Sequence, residues 1–118
     1  MAVPHEITEF LKKFKHVLTQ GFIIILRNDY KLTCSYLGIT ISDVKDTISQ
    51  LTYKDYVNGP EKDKGKPGNM IWEFGVHMQG QDIYIKLSDD FSFNRAKCLS
   101  FHIAAYSFKF PYKPRKDN

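Results

Sequence analysis

The sequence predicts an α+β fold, with N-terminal helices packed on one face of a small antiparallel sheet. Apolar residues recur at helical spacing over residues 4–19 and about 41–51 and alternate with period two from about residue 70 to 103. No internal repeat and no linker separates the two parts, so residues 1–118 read as one domain, with 114–118 a frayed tail.

The elements follow in chain order. Residues 4–19 predict an amphipathic helix, because Ile7, Phe10, Leu11, Phe14 and Leu18 share one stripe while Lys12, Lys13 and Lys15 face away. Pro4 suits the first turn, Glu6 and Glu9 suit the positive end, and Gly21 lies just past the end. The β-branched run from Phe22 to Arg27 reads as a buried strand, broken by Asn28-Asp29. Residues 30–37 are ambiguous and read best as a short helix ending at Gly38. A further helix spans about 41–51, with Thr40 and Asp43 as a capping box and Ile41, Val44, Ile48 and Leu51 as its apolar stripe. Residues 52–56 predict another short helical turn.

Asn58 to Asn69 carries Gly59-Pro60, Pro67-Gly68 and alternating Lys62, Lys64 and Lys66, and predicts an exposed, mobile loop. It is either a hydrophilic hairpin or crossover connection, or a basic flap over a nucleic-acid groove. It lacks the Gly and Lys spacing of a phosphate-binding P-loop. Strands follow at about 70–78, 82–88 and 95–103, the first two joined by a tight hairpin at Gln79-Gly80-Gln81. The segment Phe108 to Lys113 alternates apolar or aromatic with basic residues and reads as an extended run along the sheet.

Composition narrows the function classes. At 42% hydrophobic and 25% charged the chain falls among soluble globular proteins, and its longest apolar run, Phe22 to Leu26, is far too short to cross a membrane. The formal charge of +4 favours an anionic partner, although for charge alone a plain lysine excess is the better explanation. Cys34 and Cys98 lie far apart without metal-ligand spacing to His5, His16, His77 or His102, so they read as free thiols in a reducing cytoplasm, with no metal or cofactor.

Alternation along the last three strands carries the chemistry. With Ile83, Ile85 and Leu87 turned to the core, Tyr84 and Lys86 share the open face. The same logic aims Glu73 from the first strand, and Cys98, Ser100 and His102 from the last, at that face, leaving Leu99, Phe101 and Ile103 on the other. A carboxylate, a phenol, an ammonium and an imidazole side by side suit acid–base cleavage of a phosphodiester. The competing reading is the ordinary wet face of an antiparallel sheet, with Glu73, Lys86 and Asp82 as a cross-strand ion-pair ladder.

The order Leu37-Gly38-Ile39, Leu51-Thr52-x-x-Asp55-Tyr56, a Gly-Pro-rich loop, Trp72-Glu73-Phe74, Tyr84-Ile85-Lys86 and Ser100-Phe101-His102 resembles the MqsR-type toxins of bacterial type II toxin–antitoxin systems. The resemblance covers roughly residues 20–113, and Tyr-x-Lys with Ser-Phe-His are its most specific parts. It implies a RelE-like α+β fold, metal-independent cleavage of mRNA, and neutralisation by a cognate antitoxin protein. Tyr84 and Lys86 match the family's Tyr-x-Lys strand, whereas His102 stands where better-known members carry Lys, Glu73 where they carry Gln, and Asn58 where they carry Lys.

The expected site therefore comprises His102, Tyr84, Lys86 and Glu73 for catalysis, with Lys62, Lys64, Lys66, Asn58 and Arg95 on the RNA backbone. Which of His102 and Glu73 is acid and which is base stays open. A non-catalytic RNA-binding module would use the same face and cut nothing. A protein-interaction domain would pair an exposed sheet edge with a partner strand, without salt-dependent RNA binding. Assembly as a homodimer or as a toxin–antitoxin hetero-oligomer is equally open.

Overall fold

A computed structural model describes residues 1–113, and the expected frayed tail at 114–118 lies outside the described residues. Helix α1 (Pro4–Leu18) buries Ile7, Phe10, Leu11, Phe14, Val17 and Leu18. The Glu6 carboxylate accepts from the Val3 amide at 2.9 Å and satisfies one free N–H of the first turn. Phe10 lies flat on Trp72 with ring centroids 4.5 Å apart, which fixes α1 over the middle of the sheet. Phe14 is fully buried, and its truncation to Ala would cost about 3–5 kcal/mol.

Strand β1 (Phe22–Ile24) is shorter than the apolar run that encodes it. The chain leaves the sheet after Ile24 to begin α2 (Asn28–Leu37), which exposes Ile25 and Leu26. Helix α2 covers the rest of that edge, where the Ile103 amide donates to the Thr33 hydroxyl at 2.9 Å. Helix α3 (Ile41–Ser49) starts on the expected capping box, with the Thr40 amide donating to the Asp43 carboxylate at 2.8 Å. A single 3-10 turn at Tyr53–Asp55 follows.

Residues 56–62, most of them read as loop from the sequence, form an edge strand instead: β2 (Tyr56–Lys62) pairs antiparallel with β3 (Met70–Met78). Tyr56, at its start, is fully buried and anchors the strand, and its hydroxyl donates to the Gly59 carbonyl. Proline and lysine, which argued for a loop, are residues that an edge strand accommodates because its outer side needs no ladder partner.

Strand β4 (Gln81–Ser88) returns from β3 through a two-residue turn in which Gln79 and Gly80 both have positive φ, as a primed hairpin turn demands. Strand β5 (Ala96–Ile103) completes a five-stranded sheet in the order β1, β5, β4, β3, β2. Because β1 runs parallel to β5 while every other pair is antiparallel, the sheet is mixed and the fold is α+β.

One register detail differs from simple alternation. Lys86 pairs with Ser100 but Leu87 pairs with Cys98, so Leu99 is an extra residue in β5. The bulge turns Cys98 into the core, fully buried with its thiol pushed up to about 12 by burial, and leaves Leu99 beside Lys86 and Glu73 on the open face. Both side-chain directions are thus the reverse of those that strict alternation gives.

Candidate active site

Cross-strand register builds the cluster as two rows on the face opposite α1. In one row Glu73, Lys86 and Ser100 lie opposite one another on β3, β4 and β5. In the next row stand Gly75, Tyr84 and His102. Ile83, Ile85 and Leu87 are fully buried beneath them, and their packing holds the polar residues outward.

The contacts within the cluster are specific. The Tyr84 hydroxyl donates to the Glu73 carboxylate. The Lys86 ammonium lies 5.9 Å from the centre of the Tyr84 ring, and the His102 ring centroid lies 5.3 Å from it on the β5 side. Burial first, and then the adjacent Glu73 carboxylate, push the Tyr84 phenol well above the usual tyrosine value. Tyr84 is therefore a hydrogen-bond donor at neutral pH and not a base.

His102 is held through Nδ1. Nδ1 lies 2.9 Å from the Ile103 carbonyl, an acceptor, which places the proton on Nδ1 and leaves the Nε2 lone pair available. Nε2 lies 3.7 Å from the Asp29 carboxylate at the start of α2, a partner for the imidazolium when Nε2 takes a proton.

Beyond Glu73 and Lys86 the open face deepens into a groove of about 460 Å³. Arg27, Lys62, Lys64 and Lys86 line it together with Glu61, Asp63 and Glu73. Asn58 sits opposite Glu73 in the β2–β3 register. Two of the expected backbone-binding residues lie elsewhere. Lys66 reaches across to Asp90 at 3.4 Å, and Arg95 sits at the end of β5 away from His102, with its guanidinium over the Phe93 ring at 5.4 Å.

Sequence reasoning missed Arg27 and Asp29. Both flank the break after the apolar run, and the available signal was a cation followed by an acid where a parallel strand ends. The C-terminal segment joins the same face. Phe108 packs against Gly75, where a side chain would meet the Phe108 ring at 2.6 Å, and it stacks on Tyr84 with centroids 6.3 Å apart. The segment then passes to the N-terminus, where the Tyr112 hydroxyl donates to the Ala2 carbonyl at 2.7 Å.

Two other depressions among the described residues do not offer comparable chemistry. One of about 480 Å³ beside α3 is lined by Asp43, Asp46 and Asp55 and repels a polyanion. One of about 510 Å³ beside α1 is chiefly apolar, and its Lys15 already donates to the Leu51 carbonyl at 2.5 Å. No helix among the described residues is long and apolar enough to cross a membrane. No family model, curated protein or solved structure matches the chain.

Proposed function

We propose that this protein is a metal-independent endoribonuclease that cleaves mRNA in the cytoplasm as the toxin of a toxin–antitoxin pair. One observation carries the nuclease reading: Tyr84 bonds to Glu73 of the adjacent row on one side and packs against His102 on the other, with Lys86 beside them and a charged groove leading away. The toxin role and the antitoxin partner rest on the order and spacing of the Tyr84-Ile85-Lys86 and Ser100-Phe101-His102 elements.

The reaction needs a base for the ribose 2′-OH, an acid for the departing 5′-oxygen, and positive charge for the phosphorane. Glu73 and His102 flank Tyr84 from strands on either side of β4, so a phosphate seated over Tyr84 has a proton-transfer group on each side. Lys86 supplies the cation. Tyr84 orients the Glu73 carboxylate and turns its donor to the phosphate when the substrate displaces that bond. The 2′-OH oxygen bonds to phosphorus as its proton leaves, and the 5′-oxygen departs with a proton, giving a 2′,3′-cyclic phosphate and a 5′-hydroxyl end.

Long RNA incubated with purified protein in EDTA tests the reading. Expected products carry cyclic phosphate and 5′-hydroxyl ends. Intact RNA, or cleavage abolished by EDTA, overturns it. RNA that stays intact yet binds in a salt-dependent way marks a non-catalytic RNA-binding module instead.

A further inference from the structure

The cluster has two ends of opposite character. At the Glu73–Lys86 end lies the charged groove with Arg27, Lys62 and Lys64. At the Tyr84–His102 end lies an open apolar pocket of about 300 Å³, lined by Ala104, Ala105, Tyr106, Ser107 and Phe108 of the C-terminal segment. Its walls include the Tyr84 ring with Phe108 stacked beside it and the imidazole of His102. Tyr106 is 85% exposed, a large ring left at the rim of an apolar pocket.

We propose that this pocket holds one unpaired nucleobase of a single-stranded RNA, stacked on the aromatic rings, while the groove at the other end holds the neighbouring backbone phosphates. The inference rests on reading this face as an RNA site, and deepens it by naming the substrate as single-stranded. Three features favour a base as the occupant. Aromatic faces are the common platform for bases in single-stranded recognition. The pocket adjoins a groove where four cations, set among three carboxylates, leave a positive excess for backbone phosphates. A base and its phosphate would span the two ends with the Tyr84–His102 pair between them. A base stacked within a duplex cannot enter.

The same geometry makes Phe108 and Tyr106 base-stacking residues that fix the register of the RNA strand, although neither carries a group for proton transfer. Gly75 is part of the design, since it admits the Phe108 ring directly onto the sheet.

The test is a binding measurement on the full-length protein with short 2′-O-methyl RNA, which cannot be cut through its 2′-oxygen. Each base in turn is replaced by an abasic unit. One position is expected to stand out, with affinity lowered about tenfold. In Phe108→Ala and Tyr106→Ala that position should no longer stand out, and Phe108→Trp should restore it. Equal losses at every position, no loss at any, or an unchanged pattern in Phe108→Ala overturns the proposal. The assay is independent of cleavage. A protein that cuts RNA but gives a flat scan keeps the nuclease and loses the pocket. A protein with a single sensitive position and no cleavage keeps the pocket and loses the nuclease.

Discussion

The Tyr84 hydroxyl donates to the Glu73 carboxylate on β3, while His102 of β5 lies against the same ring with centroids 5.3 Å apart. The phenol thus sits between the carboxylate and the imidazole of the cluster. Removing either kind of contact has a different expected cost. His102→Ala should lower cleavage by about 10²–10⁴-fold, the usual worth of a positioned acid or base. Tyr84→Phe deletes one hydrogen bond to a carboxylate and should lower it roughly 10–100-fold. Both variants should keep wild-type circular dichroism. Full activity in both would discard the site.

The raised pKa of Tyr84 gives a second expectation, with a definite sign. Its folded pKa lies above the unfolded value of about 10, so the folded state holds its proton more tightly. The associated stability is present below that unfolded value and is lost as pH rises through the folded one. Relative to Tyr84→Phe, the wild type should therefore lose stability only above about pH 10. Absorbance titration at the phenolate band should show no ionisation of Tyr84 at the pH where exposed tyrosines ionise. A wild-type curve exceeding that of Tyr84→Phe by one ordinary tyrosine would refute this.

Much of this arrangement was legible in the sequence. Alternation in β4 placed Tyr84 and Lys86 opposite Ile83 and Ile85 because a buried strand face tolerates almost nothing but apolar residues. Helix α3 announced itself through Thr40 and Asp43. What strict alternation could not show was the bulge at Leu99, since an extra residue leaves no compositional mark yet reverses every side chain before it. Strand β2 was hidden for a related reason, because edge strands are built from the residues that loops also use. Asp29 and Arg27 reach the site through tertiary placement of α2, which no local pattern encodes.

The contact between Gly75 and Phe108 predicts the behaviour of the C-terminal segment. Gly75→Val would drive a side chain into the Phe108 ring, where even a Cβ comes within 2.6 Å. The core lies on the other side of β3, so the ring should yield rather than the sheet, at ~1–3 kcal/mol. Trypsin should then cut after Lys109 faster than in the wild type. Unchanged cleavage at Lys109 would show that Phe108 does not hold the segment down.

The groove makes a prediction through salt. Each phosphate neutralised on single-stranded nucleic acid adds about 0.7 to the slope of log affinity against log salt. Arg27→Ala, Lys62→Ala and Lys64→Ala should each reduce that slope by about this amount. Lys66→Ala and Arg95→Ala should leave it alone, because Lys66 pairs with Asp90 and Arg95 lies over Phe93. Equal effects from all five would mean diffuse attraction rather than a groove.

Asp90 anchors the turn between β4 and β5. Its carboxylate accepts from Lys97 at 2.5 Å, and the Ser92 amide donates to it at 3.0 Å. The Lys97 bond leads the Ser92 contacts in holding the carboxyl far below the usual carboxylate range. Its side chain is only 11% exposed, so solvent screens the pair weakly. The folded pKa is depressed, so the stabilisation is complete above the unfolded value of about 4 and is lost as pH falls toward the folded one. At pH 7 Asp90→Asn should cost about 1–3 kcal/mol, the worth of hydrogen bonds to a charged partner. Denaturant midpoints of variant and wild type should converge as pH drops below about 4. A gap that stays constant into strong acid would mean that Asp90 acts through shape and not through charge.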